Sequence, residues 1–262
     1  MGARVTIQRS RAAGFARKCG ALSIAVLVLT ALGHRYGPVP EFTLLSLIST
    51  GIVLALLAMA SGLYALHEIW KNGDEGAGSA VLATFYALPG TVLFIASVYA
   101  LAVYPKLNDI STDPVSPPEF LSLTGEFAKR LEPSTQGQRL VQISAYPDIT
   151  ARLYPVDMDR VLQAVQGLVE QRGWPVVRQS LPAQSGQPAV IQVIARTLLF
   201  QFTDHVVIRL AREDGGTRVD LRSASTFGRH DLGQNARRIR ALLDDLDLAL
   251  QGERNDLQSA SQ

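Results

Sequence analysis

The chain has 262 residues, of which 25 are Lys or Arg and 23 are Asp or Glu. Residues 1–104 hold seven basic and four acidic side chains and residues 105–262 hold eighteen and nineteen, so the pI of about 8.8 belongs to the N-terminal segment. A C-terminal part of net charge −1 lacks the clustered basic excess that a nucleic-acid partner needs, and a lone cysteine, Cys19, excludes an intrachain disulfide or a thiolate metal site.

Three apolar stretches open the chain, at residues 19–33, 42–66 and 79–104. A bilayer core about 30 Å thick takes about 20 helical residues. The second and third stretches reach that length without a charge, which predicts an integral membrane protein in contact with the lipid bilayer. Pro89-Gly90 lies within the third, where neighbouring helices can satisfy backbone groups freed by a kink. The first stretch is shorter and reads either as a span or as a signal peptide. Arg4, Arg9, Arg11, Arg17 and Lys18 precede it, against Arg35 alone in the next loop. This bias predicts a cytoplasmic N-terminus, and the alternation of spans then puts everything after Tyr104 on the non-cytoplasmic face. Gly51, Ala58 and Gly62 permit close helix contact, and with it oligomerisation or docking to other membrane proteins.

Past Tyr104, residues 105–118 are rich in Pro, Asp, Ser and Thr and predict an extended segment. Phe120, Leu123, Phe127 and Leu131 recur at helical spacing, predicting a helix over 119–131. A polar turn at 132–139 and a strand at 140–145 follow. Val161, Leu162, Val165, Leu168 and Val169 predict a helix over 157–172, stopped by Gly173. Strands are predicted at 174–178, 189–202, 204–212 and 217–225, with Gly215-Gly216 as a hairpin turn. A last helix over 231–250 buries Leu232, Ala236, Ile239, Leu242, Leu243 and Leu246, and a polar disordered tail is expected at 251–262.

The chain thus divides into a membrane anchor at 1–104, a soluble domain at 105–250 and the tail. The fold class is α+β: a bundle of about three transmembrane helices, then an antiparallel sheet with helices packed on one face. Period-two alternation puts Val206, Ile208, Leu210, Val219 and Leu221 on the apolar face. Arg196, Arg209, Asp220 and Arg222 fall on the other, expected to be wet.

Several separated motifs resemble one family. They include Asn108-Asp109-Ile110-Ser111-Thr112-Asp113-Pro114, Pro117-Pro118-Glu119-Phe120, Ala145-Tyr146-Pro147-Asp148-Ile149 and Val219-Asp220-Leu221-Arg222-Ser223-Ala224-Ser225. The longest runs from Gly228-Arg229-His230-Asp231 to Ala236-Arg237-Arg238-Ile239. Together they are similar to the bacterial domain-of-unknown-function family numbered fourteen-ninety-nine, over about residues 105–248. The resemblance implies bacterial origin, a membrane-tethered or lipoprotein setting in the cell envelope, and no defined activity. Taken with the charge bias, it predicts an anchor in the inner (plasma) membrane and a periplasmic domain. Thr226 and His205 stand where that family often has arginine and aspartate.

The strongest local chemical signal is an Arg/Asp constellation of Arg196, Arg209, Asp220, Arg222, Arg229, Asp231, Arg237 and Arg238. Sixteen of the eighteen basic residues after Tyr104 are arginine, which suits planar, bidentate pairing. One reading is a cross-strand ladder of ion pairs. A second is a groove for a carboxylate or phosphate of an envelope lipid or polysaccharide, with Gly228–Asp231 at a helix start. Asp231 is also a good N-cap, which would occupy the same donors. In an enzymatic version Asp220, Asp231 or His230 acts as acid or base, with no catalytic motif to name it. The oxygen-rich run 108–113 lacks the glycine and distant glutamate of a calcium loop, and an Asx turn is the simpler expectation. No cofactor motif is present, so none is expected.

Overall fold

The computed structural model describes the backbone of residues 8–37, 39–123, 125–131, 134–182 and 186–260; side chains at 125, 126, 130 and 252–260 are not described. Two compact units are present.

The first unit is a helical bundle of α1 (Arg11–Tyr36), α2 (Glu41–Asn72) and α3 (Ala77–Val103). All three are long and apolar enough to cross a membrane. Ser10 caps α1 by accepting from the Ala13 N–H, and Gly73, at φ +73°, ends α2. The buried positions of α2 are Leu44, Ile48, Gly51, Ala55, Ala58, Gly62 and Ala65. Their spacing alternates four and three residues, the repeat of a coiled-coil seam, and most of them are small. A Cβ on Gly51 would meet the Leu27 side chain of α1, and one on Gly62 would meet Thr84 and Ala80 of α3. The small residues read as permitting contacts between chains therefore pack the helices of one chain. Ser23 donates to the Gly51 carbonyl at 2.7 Å, a buried bond between α1 and α2. Ahead of α1, the Ser10 N–H donates to Glu75 O and the Glu75 N–H to Gln8 O, so the N-terminal segment and the α2–α3 loop share one end of the bundle.

The second unit holds β1 (Asp109–Ser111), α4 (Gly125–Arg130), α5 (Gln136–Ala145), β2 (Arg152–Tyr154), α6 (Met158–Gln171), β3 (Val176–Ser180), β4 (Ala189–Arg196), β5 (Thr203–Glu213), β6 (Gly216–Ser225) and α7 (Gln234–Ala260). The antiparallel sheet has the order β1-β6-β5-β4-β3, with β2 also on β6. One core joins Ile191, Val193, Val206, Ile208, Leu210, Val219 and Leu221 of the sheet to Val161 and Val165 of α6 and Ile239, Leu242, Leu243 and Leu246 of α7. The α+β architecture and the apolar face stand as read from the sequence.

Several elements differ from expectation. The last helix starts at Gln234 and not at residue 231, so Leu232, at φ +54°, precedes it and is only half-buried. The segment predicted as a strand at 140–145 is helical, because Thr135 and Gln138 form a reciprocal capping box and start α5 at Gln136, four residues earlier. Helix 119–131 is reduced to α4, since Phe120 is held by the sheet in extended chain. β4 stops at Arg196: reversing into antiparallel β5 needs more than one residue, and 197–202 make that turn. The β5–β6 turn is Asp214-Gly215, one residue before the predicted pair, and Gly216 instead pairs with Glu213. The tail expected to be disordered is helical as far as Ala260, the end of α7. Its side chains beyond Gln251 lie outside the described residues, as do Glu132 and Pro133 of the expected polar turn.

Candidate functional site

The sheet face expected to be wet is covered. After β1 the chain crosses it as a strap, held extended by Pro114, Pro117 and Pro118. Arg209 donates to the Ser116 carbonyl at 3.1 Å and Arg222 to the Pro118 carbonyl at 3.1 Å. The Gln192 amide brackets Ser122, accepting from its N–H at 2.8 Å and donating to its carbonyl at 2.9 Å. Phe120 lies under the Arg222 guanidinium, 4.6 Å from its centre, and edge-on to Phe127. Phe127 in turn stacks on His205 at 3.7 Å between ring centres. Gln192, Val207, Asp220 and Arg222 are all buried. The Gln192 amide nitrogen, a donor, stands 3.2 Å from His205 Nδ1, which must therefore accept. That fixes a neutral imidazole, and burial pushes its pKa down to about 4.

Beneath the strap the charges are paired. Arg222 donates to both carboxylate oxygens of Asp109, at 3.0 and 2.7 Å. Arg209 reaches Asp220 at 3.0 Å and Asp113 at 3.5 Å. Arg218, two residues before Asp220 and so on the same face by the same alternation, was not among the candidates and reaches the same two carboxylates at 3.1 and 3.2 Å. Asp113 also accepts from the N–H groups of Val115 and Ser116, the Asx turn expected of this segment. The ladder is thus completed by two aspartates of the strap and β1 about a hundred residues away in sequence.

Arg238 and Asp231 belong to a different network, on the helix side of the sheet. Arg238 donates to Asp204 at 2.5 Å, to Ser223 Oγ at 2.9 Å and to Asn235 Oδ1 at 2.7 Å. Asn235 donates on to the Asn108 carbonyl and Ser225 Oγ, tying α7 to the chain that enters β1. Burial raises the pKa of the Asp204 carboxyl, with Arg238 pulling the other way. Asp231 sits three residues before α7 and accepts from the Gly233 and Asn235 N–H groups at 2.9 and 2.8 Å, the capping role expected of it. Burial raises its pKa too. His230 places Nε2 3.1 Å from the Tyr104 carbonyl and accepts at Nδ1 from the Leu232 N–H, so both ring nitrogens are engaged with backbone. Arg237 donates to the Gly233 and Leu232 carbonyls and lies over the Tyr104 ring. The backbone N–H groups of Gly233, Gln234, Asn235 and Arg237 at the start of α7 are therefore occupied from within.

Two of the eight candidates stand apart. Arg196 is exposed at the end of β4, and Arg229 is exposed in the loop before α7. Arg229 and Lys106 line a cleft of about 450 Å³ with Asn108, Ser134, Thr135 and Gln138. Asp109 also lines it, but its charge is taken by Arg222. Among the described residues Lys106 and Arg229 form no ion pair, so they set the sign of the cleft.

A family model described as Protein of unknown function (DUF1499) matches residues 109–246, from the first residue of β1 into α7. The chain belongs to this family. The DUF1499 match takes in the strap, the paired arginines and the α7 cap, and stops short of the three apolar helices. No curated protein and no solved structure matches the chain.

Proposed function

We propose that this DUF1499 protein is an inner-membrane protein that holds a non-catalytic α+β domain in the periplasm, where its Lys106–Arg229 cleft binds an anionic envelope ligand. The observation that carries the reading is a contrast within one domain. Arg209, Arg218, Arg222 and Arg238 are spent on Asp109, Asp113, Asp204 and Asp220. Among the described residues Lys106 and Arg229 form no ion pair, and both line a cleft of ligand size. Lys106 follows the end of α3 by three residues, about 10 Å of extended chain, which favours a ligand anchored in the bilayer over a free solute. The N-terminal charge bias and the pairing of Gln8–Ser10 with Glu75 support a cytoplasmic N-terminus, from which three crossings lead to the periplasm.

The test is calorimetric titration of detergent-purified full-length protein with short-chain phosphatidylglycerol and, separately, with inorganic phosphate. The double variant Lys106→Gln/Arg229→Gln is expected to lose affinity for the lipid by roughly tenfold or more, the factor 1.4 kcal/mol carries. Equal affinity in the wild type and a folded double variant, or no binding by either, sinks the reading. Phosphatase reporters fused after residues 38, 72 and 262 test the topology, with activity expected at the first and last. Activity at 72 instead would reverse the placement.

A further inference from the structure

We infer that the β4–β5 turn is a second, non-spanning membrane contact, with Leu198 and Leu199 seated in the headgroup layer of the bilayer that α1–α3 cross. The sequence Thr197-Leu198-Leu199-Phe200-Gln201-Phe202 carries no charge. It is an ordered turn: the Thr197 N–H donates to the Phe202 carbonyl at 3.0 Å, and the Phe202 N–H to Thr197 Oγ1 at 2.9 Å. That closed turn presents two adjacent leucines outward, at 86 and 66 % exposure. Single exposed leucines are ordinary on a soluble surface, but two neighbours at the tip of a fixed turn need an apolar or interfacial environment.

Strand register says which environment. Arg196 pairs with Thr203, Asp204 with Ser225, and Ala224 with Asp109. The turn after Arg196 therefore leaves the sheet at the end where the chain from α3 enters β1. Asp109 is six residues past Val103, so about 20 Å of chain at most separates this sheet edge from the last apolar helix. The same end carries the exposed cations Lys106, Arg196 and Arg229. Asp109, Asp204 and Asp231, also at this end, are committed to Arg222, Arg238 and backbone N–H groups. An apolar turn leaving the end of a sheet that also carries exposed positive charge has the composition of a surface that inserts shallowly among anionic headgroups. This gives Arg196 a role that neither the paired ladder nor the α7 network supplies. The inference rests on α1–α3 lying in a bilayer, and it does not depend on what the cleft binds.

The experiment uses the full chain with Cys19→Ala, reconstituted in vesicles of phosphatidylethanolamine and phosphatidylglycerol. Single cysteines carry an environment-sensitive fluorophore at Leu198, at Val53 on an exposed position of α2, or at Asp214 in the β5–β6 turn at the other end of the sheet. Leu198→Cys is expected to emit to the blue and to be quenched by lipids brominated near the headgroup. Asp214→Cys is expected to show neither effect. Quenching at Val53→Cys but solvent-like emission at Leu198→Cys overturns the inference and leaves the anchor standing. No quenching at Val53→Cys overturns the anchor and the inference together. A Leu199→Cys variant, one residue along the same tip, must agree with Leu198→Cys.

Discussion

Arg209 and Asp220 face each other as paired residues of β5 and β6, and the Asp220 carboxylate, 1 % exposed, accepts from the guanidinium groups of both Arg209 and Arg218. A buried carboxylate with two such partners is maintained by its geometry, and removing it leaves Arg209 and Arg218 to share Asp113, with Glu213 beside Arg218. Asp220→Ala is expected to destabilise the domain by about 1.5–3 kcal/mol, the range for losing hydrogen bonds to a charged group. Arg209→Met or Arg218→Met alone should cost less, because the other arginine remains. Urea unfolding of the detergent-purified chain, followed by Trp174 fluorescence, measures all three. A loss for Asp220→Ala no larger than for either arginine variant would mean the carboxylate is not the hub.

The strap should loosen in acid. His205 is neutral, accepts from Gln192 and stacks on Phe127. Its folded pKa of about 4 lies below the unfolded value of about 6.5. The group therefore contributes stability that is present above about pH 6.5 and is lost as the pH falls toward 4, where the folded state must take up a proton. His205→Phe keeps a ring beside Phe127 and cannot titrate. The melting-temperature difference between wild type and His205→Phe is expected to shrink steadily from pH 7 to pH 4. A difference that does not change with pH would mean the ring titrates freely in both states.

Much of this was legible in the sequence, and the gaps have physical causes. Strand alternation put Arg209, Asp220 and Arg222 on one face correctly, because period two is local. Their partners Asp109 and Asp113 lie beyond any local pattern. Alternation also cannot say what covers a face, so a sheet surface bearing four charged residues looked wet. Arg238 was grouped with the ladder by composition, but it projects from α7, whose packing against the apolar face puts it on the other side of the sheet. The sequence Leu140-Val141-Gln142-Ile143 imitates a strand, yet the Thr135/Gln138 capping box was there to be read. Gln192 and Gln142 gave no signal, since a buried amide becomes meaningful only once the backbone it brackets is known.

Gln142 is the buried residue of α5, and its side-chain amide acts as an extra strand partner for β1. It accepts from the Ser111 N–H at 3.1 Å and donates to the Ser111 carbonyl at 2.6 Å. Gln142→Leu leaves both backbone groups without a partner, at a cost of about 1–3 kcal/mol. Gln142→Glu can still accept but not donate when ionised, so it should fall between wild type and Gln142→Leu at acidic pH and approach Gln142→Leu near neutrality. Hydrogen exchange at the Ser111 amide reads the contact directly. Unchanged protection in Gln142→Leu would mean that α5 does not hold the β1 edge.

Within the helical bundle, Gly90 of α3 and Ala55 of α2 meet where a Cβ on the glycine would stand 2.5 Å from the alanine Cβ. No real pair of carbon atoms approaches that closely, so Gly90→Ala must push α2 and α3 apart and is expected to cost about 1–3 kcal/mol. Gly51→Ala offers a contrast, because the nearest atoms to its new Cβ are Cγ and the Cδ atoms of the Leu27 side chain, which can change rotamer. The decisive variant exchanges the two residues: Gly90→Ala with Ala55→Gly moves the same methyl group across the contact. Thermal unfolding of the purified chain in detergent should show a fall for Gly90→Ala, a smaller one for Gly51→Ala and recovery of most of the loss in the exchange. Failure of the exchange to recover stability would place the clash elsewhere on α3, and an unperturbed Gly90→Ala would mean that α2 and α3 do not cross at this level.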